Sequence, residues 1–146
     1  MMKTYASKAA FVLALAVAAA FGSGCSRPAP DATPDGVVRL WLEKMEAQPE
    51  DPHAAREAFL LLGPAARANL EKRAERASRS MGRRVEPYEM LAEGRFGLKF
   101  RPKTMTASTN GDRATVDIVG SDPALEHAVV LCAREPAGWR VEPELP

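Results

Sequence analysis

The stretch from Ala9 to Phe21 is an unbroken apolar run of 13 residues, and it decides where folding can begin. Lys3 and Lys8 precede it and the small residues Gly22, Ser23 and Gly24 follow, which is the three-part layout of a secretory signal peptide. A helix needs about 20 apolar residues to cross a hydrocarbon core of roughly 30 Å, so the run is too short to be kept as a span. Residues 1–24 are expected to be cut away, and the folded part to lie after Cys25.

The string Phe21-Gly22-Ser23-Gly24-Cys25 resembles the lipobox of bacterial lipoproteins, in which a cysteine thiol is lipidated before signal peptidase II cleaves in front of it. The family favours Leu three residues before the cysteine, where this chain has Gly22. The resemblance implies a lipid-anchored protein of the cell envelope, on the outer-membrane or periplasmic side, attached to the membrane through Cys25. The alternative is ordinary cleavage and a freely secreted protein, which the small residues Ala18, Ala20, Gly22 and Gly24 also suit. After Cys25 comes Ser26–Asp35, with three prolines, read as an extended, semi-rigid tether over residues 25–33.

Residues 34–146 are then one domain, long enough to bury a core without disulfides or metals. The only cysteines are Cys25 and Cys132, and with Cys25 acylated no intramolecular disulfide is available. Cys132 sits in the apolar string Ala128–Ala133 and reads as a small buried hydrophobe. Without the leader the chain keeps 18 basic and 19 acidic side chains, a formal −1 that points to no partner. The distribution is uneven, because residues 67–103 hold 11 basic and 5 acidic side chains. Such a stretch is either a solvated face or a surface for anionic head groups or another protein.

Three helices are expected first. Thr33 caps the first, with Pro34 at its opening position, and Val37, Val38, Trp41, Leu42 and Met45 form its apolar face up to Ala47. The second opens at Asp51-Pro52 and runs to Gly63, taken as its left-handed closing residue. The third starts at Pro64 and ends at Gly82, with Ala66, Leu70, Ala74, Ala77 and Met81 on one stripe. Ala-rich as it is, this helix is expected to lie flat on a sheet. A further helical turn is read at Pro87–Ala92, with Tyr88 and Leu91 inward.

From Arg95 the period becomes two. Phe96, Leu98 and Phe100 alternate with polar residues and predict a first strand. Met105–Thr109 and Arg113–Val119 flank Asn110-Gly111, the pair that best tolerates the positive φ angles of a tight hairpin. Ala114, Val116 and Ile118 are expected inward, and Arg113, Thr115 and Asp117 outward. His127–Arg134 is almost continuously apolar, which predicts a central strand covered on both faces, and Trp139 and Val141 mark a closing strand.

Helices followed by an antiparallel sheet that ends in Gly138-Trp139-Arg140-Val141 resemble the nuclear transport factor two-like superfamily, in particular its small bacterial lipoproteins. The carriers are Val37, Leu40 and Trp41, the segment Ala55–Leu70, the strand pair around Asn110-Gly111, and Glu135–Glu142. The resemblance implies an α+β fold of N-terminal helices packed on a curved antiparallel sheet, cone-shaped, with a pocket. Trp41, Phe96, Phe100, Val116, Ile118, Val129, Leu131 and Trp139 are then candidates for the core or the pocket wall. It also implies that a homodimer through the sheet is plausible.

Chemistry is thinly supplied. Catalytic members of the superfamily place an Asp or His with a donor such as Tyr in an apolar cavity. Here the mature chain offers His53, His127, Asp117 and the single tyrosine Tyr88, and no motif joins them. No metal-ligand spacing, cofactor motif or phosphate-cradling glycine loop is present, and the basic stretch lacks the interleaved aromatics of a nucleic-acid surface. The expectation is a noncatalytic envelope lipoprotein binding a small apolar ligand or a protein partner. The alternative is a small cavity enzyme, isomerase- or hydrolase-like, using His127 or Asp117.

Overall fold

The computed structural model describes residues 28–91 and 97–144. The leader, Cys25 and Phe96 lie outside the described residues.

Helix α1 (Pro34–Ala47) begins as its sequence dictates. Thr33 is extended and its hydroxyl accepts from Gly36 N at 3.2 Å, while Asp35 places a negative charge on the positive end of the helix. The stretch before it differs from an extended spacer, because Pro30–Ala32 is a 3-10 turn and Asp31 takes an ion pair from Arg140 at 3.0 Å. The docked part of the chain therefore begins at Pro30. Gly36 permits this, since a Cβ there would overlap the Pro30 carbonyl oxygen and stand 2.7 Å from Thr33 Oγ1.

Helix α2 (Ala54–Leu60) starts later than the Asp-Pro signal suggests: Asp51 and Pro52 form the preceding turn, with Asp51 Oδ1 accepting from His53 N at 2.8 Å. The Lys44 ammonium reaches Glu57 at 2.6 Å and ties α1 to α2, which raises the Lys44 pKa through that hydrogen bond. Helix α3 (Pro64–Met81) ends at Gly82, left-handed at φ 64°. Ala66, Leu70 and Ala74 are buried on its inner side, but Met81 is 59% exposed because the stripe outruns the surface beneath it.

Gly63 does not close α2 in a left-handed conformation; its φ is −76° and its ψ 172°. Leu61–Gly63 instead runs beside the last strand in a parallel bridge, with Gly63 N donating to Val141 O at 2.8 Å and Val141 N donating to Leu61 O at 2.9 Å. The residue is glycine for space, because a Cβ would overlap the Glu142 carboxylate, with Cδ only 2.5 Å away.

Four strands follow in a curved antiparallel meander: β1 (Thr104–Asn110), β2 (Arg113–Val119), β3 (His127–Glu135) and β4 (Gly138–Glu142), side by side in that order. The fold is α+β. The β1–β2 hairpin pairs Asn110 with Arg113, so its two-residue loop is Gly111-Asp112, one step on from Asn-Gly. Gly111 alone takes positive φ there, at 60°, the arrangement of a II′ turn with glycine in the first central place. The strand expected from Arg95 does not form over 97–100, an irregular stretch with bends at 97, 99 and 100, although Leu98 and Phe100 still pack on the core. Pro102 and the onset of β1 pairing two residues later leave those residues no partner strand among the described residues.

Ala114, Val116 and Ile118 of β2 face the helices and are buried, together with Cys132, Trp139 and Val141. Helix α1, not α3, lies across this face, bringing Val37, Val38, Trp41, Leu42 and Met45 onto it. Its large side chains supply the apolar area that α3's alanines lack, at about 25 cal/mol per Å² buried. Helix α3 packs chiefly on the 3-10 turn Pro87–Met90, where Leu91 is buried and Tyr88 half-buried.

Candidate functional site

The residues expected to wall a pocket separate into three groups. Trp41, Val116, Ile118 and Trp139 are at most 4% exposed and pack against one another as core. Phe100 is half-buried at the margin of that core. Val129 and Leu131 are 53% and 46% exposed on the sheet's outer face, which corrects the expectation that β3 is covered on both sides. Alternation along β3 decides this: Ala128, Val130 and Cys132 turn inward and their neighbours turn out.

A cleft of about 430 Å³ opens where β3 outruns β4. Strand β4 pairs with β3 from Leu131 to Glu135, so the stretch 127–130 has no partner on that side among the described residues. Trp41 and Leu98 line the inner wall, Ala128–Leu131 the strand side, and Glu142 and Glu144 the rim. The Trp41 indole N–H is buried and finds no acceptor among the described residues. The superfamily resemblance implies Trp41, Val129 and Leu131 as pocket wall but not Leu98, Glu142 and Glu144, which line the cleft beyond the end of the β3–β4 pairing.

A second, more polar groove of about 580 Å³ lies between α3 and 84–87, lined by Glu71, Glu75, Arg79, Arg84 and Val85 among others. Its neighbour Glu89 has its carboxyl held below the usual range by the Arg83 guanidinium, at 3.0 Å, and by a backbone hydrogen bond at Glu86.

Register does bring Asp117 and His127 together. Asp117 pairs across with Val129 and His127 with Val119, so the two are diagonal neighbours, and His127 Nε2 contacts Asp117 Oδ1. The pair stands half-exposed on the outer face, away from the apolar side of the sheet. Tyr88 and His53 belong to other parts of the surface. Cys132 is buried with Sγ 3.9 Å from Pro34 O, and burial, with a smaller effect of Glu142, pushes its thiol up to about 12.

No family model matches the chain, and neither a curated protein nor a solved structure matches it.

Proposed function

We propose that the chain is a noncatalytic envelope lipoprotein, anchored through Cys25 and akin to the nuclear transport factor two-like lipoproteins, whose domain binds a small apolar ligand or the apolar side chains of a protein partner. The cleft at the end of β3 carries this reading: its volume of about 430 Å³ lies in the range of small-molecule sites, and it combines apolar walls from Leu98 and Ala128–Leu131 with a rim of Glu142 and Glu144. The pair that catalysis would use, Asp117 and His127, stands half-exposed on the outer face of the sheet and does not line the cleft, although Asp117 pairs across the strands with Val129 at its edge.

Titration with an apolar fluorophore, followed through tryptophan energy transfer, tests the cleft. Saturable binding that Val129→Arg weakens at least tenfold, with melting unchanged, is the expected result. Equal binding by parent and variant would sink the proposal.

A second reading is favoured by Val129 and Leu131, two exposed aliphatic side chains adjacent on the outer face of β3. They suit a homodimer through the sheet, which sedimentation equilibrium detects as a concentration-dependent mass that Leu131→Glu abolishes.

A further inference from the structure

The positive middle third of the chain does not spread evenly over the fold. Arg67 is tied to Glu135, Arg83 to Glu89 and Arg84 to Glu86. On α3 that leaves Arg73, half-buried, and Lys72, Arg76 and Arg79, which are spaced four and three residues apart and all exposed. This spacing stacks them on one side, opposite the buried Ala66, Leu70 and Ala74. Like charges at such spacing destabilise a helix, and among the described residues none of the three makes an ion pair, even though Glu75 stands beside them. Only Arg79 lies in the last turn, where the helix dipole welcomes a cation. The row therefore sets like charges side by side without an ion pair among the described residues, and its one hydrogen bond within the fold is Arg76 Nε donating to the Lys72 carbonyl at 3.3 Å.

We propose that this face of α3 docks on the anionic phosphate surface of a lipid bilayer, with Lys72, Arg76 and Arg79 against the head groups. The choice of a bilayer rests on the anchor reading. Between Cys25 and Pro28 only two residues intervene, so a lipidated Cys25 would hold the first described residue within about 11 Å of the membrane at full extension. A domain held that close presents its surface to head groups continuously, and the cationic row is complementary to them. Basic side chains near an anionic leaflet each contribute about a fivefold gain in partitioning, so three amount to a gain on the order of a hundredfold.

The test uses the full chain and vesicles of phosphatidylcholine, alone or with one-third phosphatidylglycerol, at low salt. The apolar run and Lys3 and Lys8 act alike in every variant, so the readout is the ratio of partitioning between the two vesicle types. Parent protein is expected to prefer anionic vesicles, with the preference falling in 0.5 M salt. The variant Lys72→Gln/Arg76→Gln/Arg79→Gln should lose about a hundredfold of that preference while melting at the same temperature or slightly higher, because repulsion is relieved. Arg79→Gln alone should lose about fivefold and guards against a folding defect in the triple variant. A triple variant that keeps the parent's preference overturns the proposal, as does a parent that binds both vesicle types equally. Lipidation is not measured by that ratio: Cys25→Ala in host cells reports on the anchor separately.

Discussion

Replacing Gly63 by Ala isolates one contact that joins the helical layer to the sheet. The backbone there is unstrained for any residue, at φ −76° and ψ 172°, and the following Pro64 favours that conformation. The peptide cannot shift, because Gly63 N and Leu61 O are both bonded to Val141, at 2.8 and 2.9 Å. The new Cβ must therefore displace Glu142, whose Cδ lies 2.5 Å and Cγ 3.0 Å from its position. Glu142 Oε2 is the acceptor for Ala66 N, at 3.3 Å, in the first turn of a helix that has neither a side-chain cap nor an acidic residue of its own there. Losing a cap costs about 0.5–2 kcal/mol, and losing a carboxylate from the dipole's positive end about 0.3–1 kcal/mol. The two overlap, so the expected loss is about 1–2 kcal/mol.

Urea unfolding followed by tryptophan fluorescence measures it, and a double-mutant cycle assigns it. With Glu142→Ala already present there is no carboxylate to displace, and Gly63→Ala should become neutral or stabilise by about 0.4–1 kcal/mol through lower entropy of the unfolded chain. The sign change is the diagnostic result. If Gly63→Ala costs as much in the Glu142→Ala background as in the parent, the contact is not what requires glycine.

Trp139→Ala should cost about 3–5 kcal/mol, since Trp139 is 4% exposed in the core with the Arg134 guanidinium 5.8 Å from its ring; unchanged thermal melting would remove it from the core. Cys132 should resist iodoacetamide in the folded protein, and its raised pKa fixes a pH dependence. The unfolded thiol ionises near 9 while the folded one holds its proton to about 12, so this contribution is complete below pH 9 and is lost as pH rises through that window. A Cys132→Ala variant should lose that part of the alkaline destabilisation, and an unchanged pH profile would refute it. Cys25→Ala is expected to move the protein from the membrane fraction to the soluble one, and retention in membranes would assign attachment to α3 instead.

Local signals were legible wherever one residue's chemistry decided the outcome. Thr33 with Pro34 fixed the start of α1, Gly82 the end of α3, and alternation over Arg113–Val119 the inward set Ala114, Val116 and Ile118. What could not be read depended on partners distant in sequence. Gly63 looks like a helix terminator until β4 lies beside it, 78 residues on at Val141. Leu98 and Phe100 alternate like a strand, yet they pair with no strand among the described residues and instead pack their side chains on the core from a bent segment.

The composition of β3 was the most misleading signal, and the reason bears on function. A run such as Ala128–Ala133 is what a strand covered on both faces requires, but α1 covers only one face, and α3, which might have taken the other, packs on the Pro87–Met90 turn. The apolar excess is therefore not explained by the fold's own packing. Val129 and Leu131 are each about half-exposed in a sheet whose outer face on β1 and β2 is polar apart from Val119. Their burial would add about 1.5–3 kcal/mol apiece if complete, and the fold leaves much of it unused. That surplus lies beside the cleft lined by Trp41 and Leu98, so a ligand or partner seated there would gain apolar burial at residues that the domain itself leaves open.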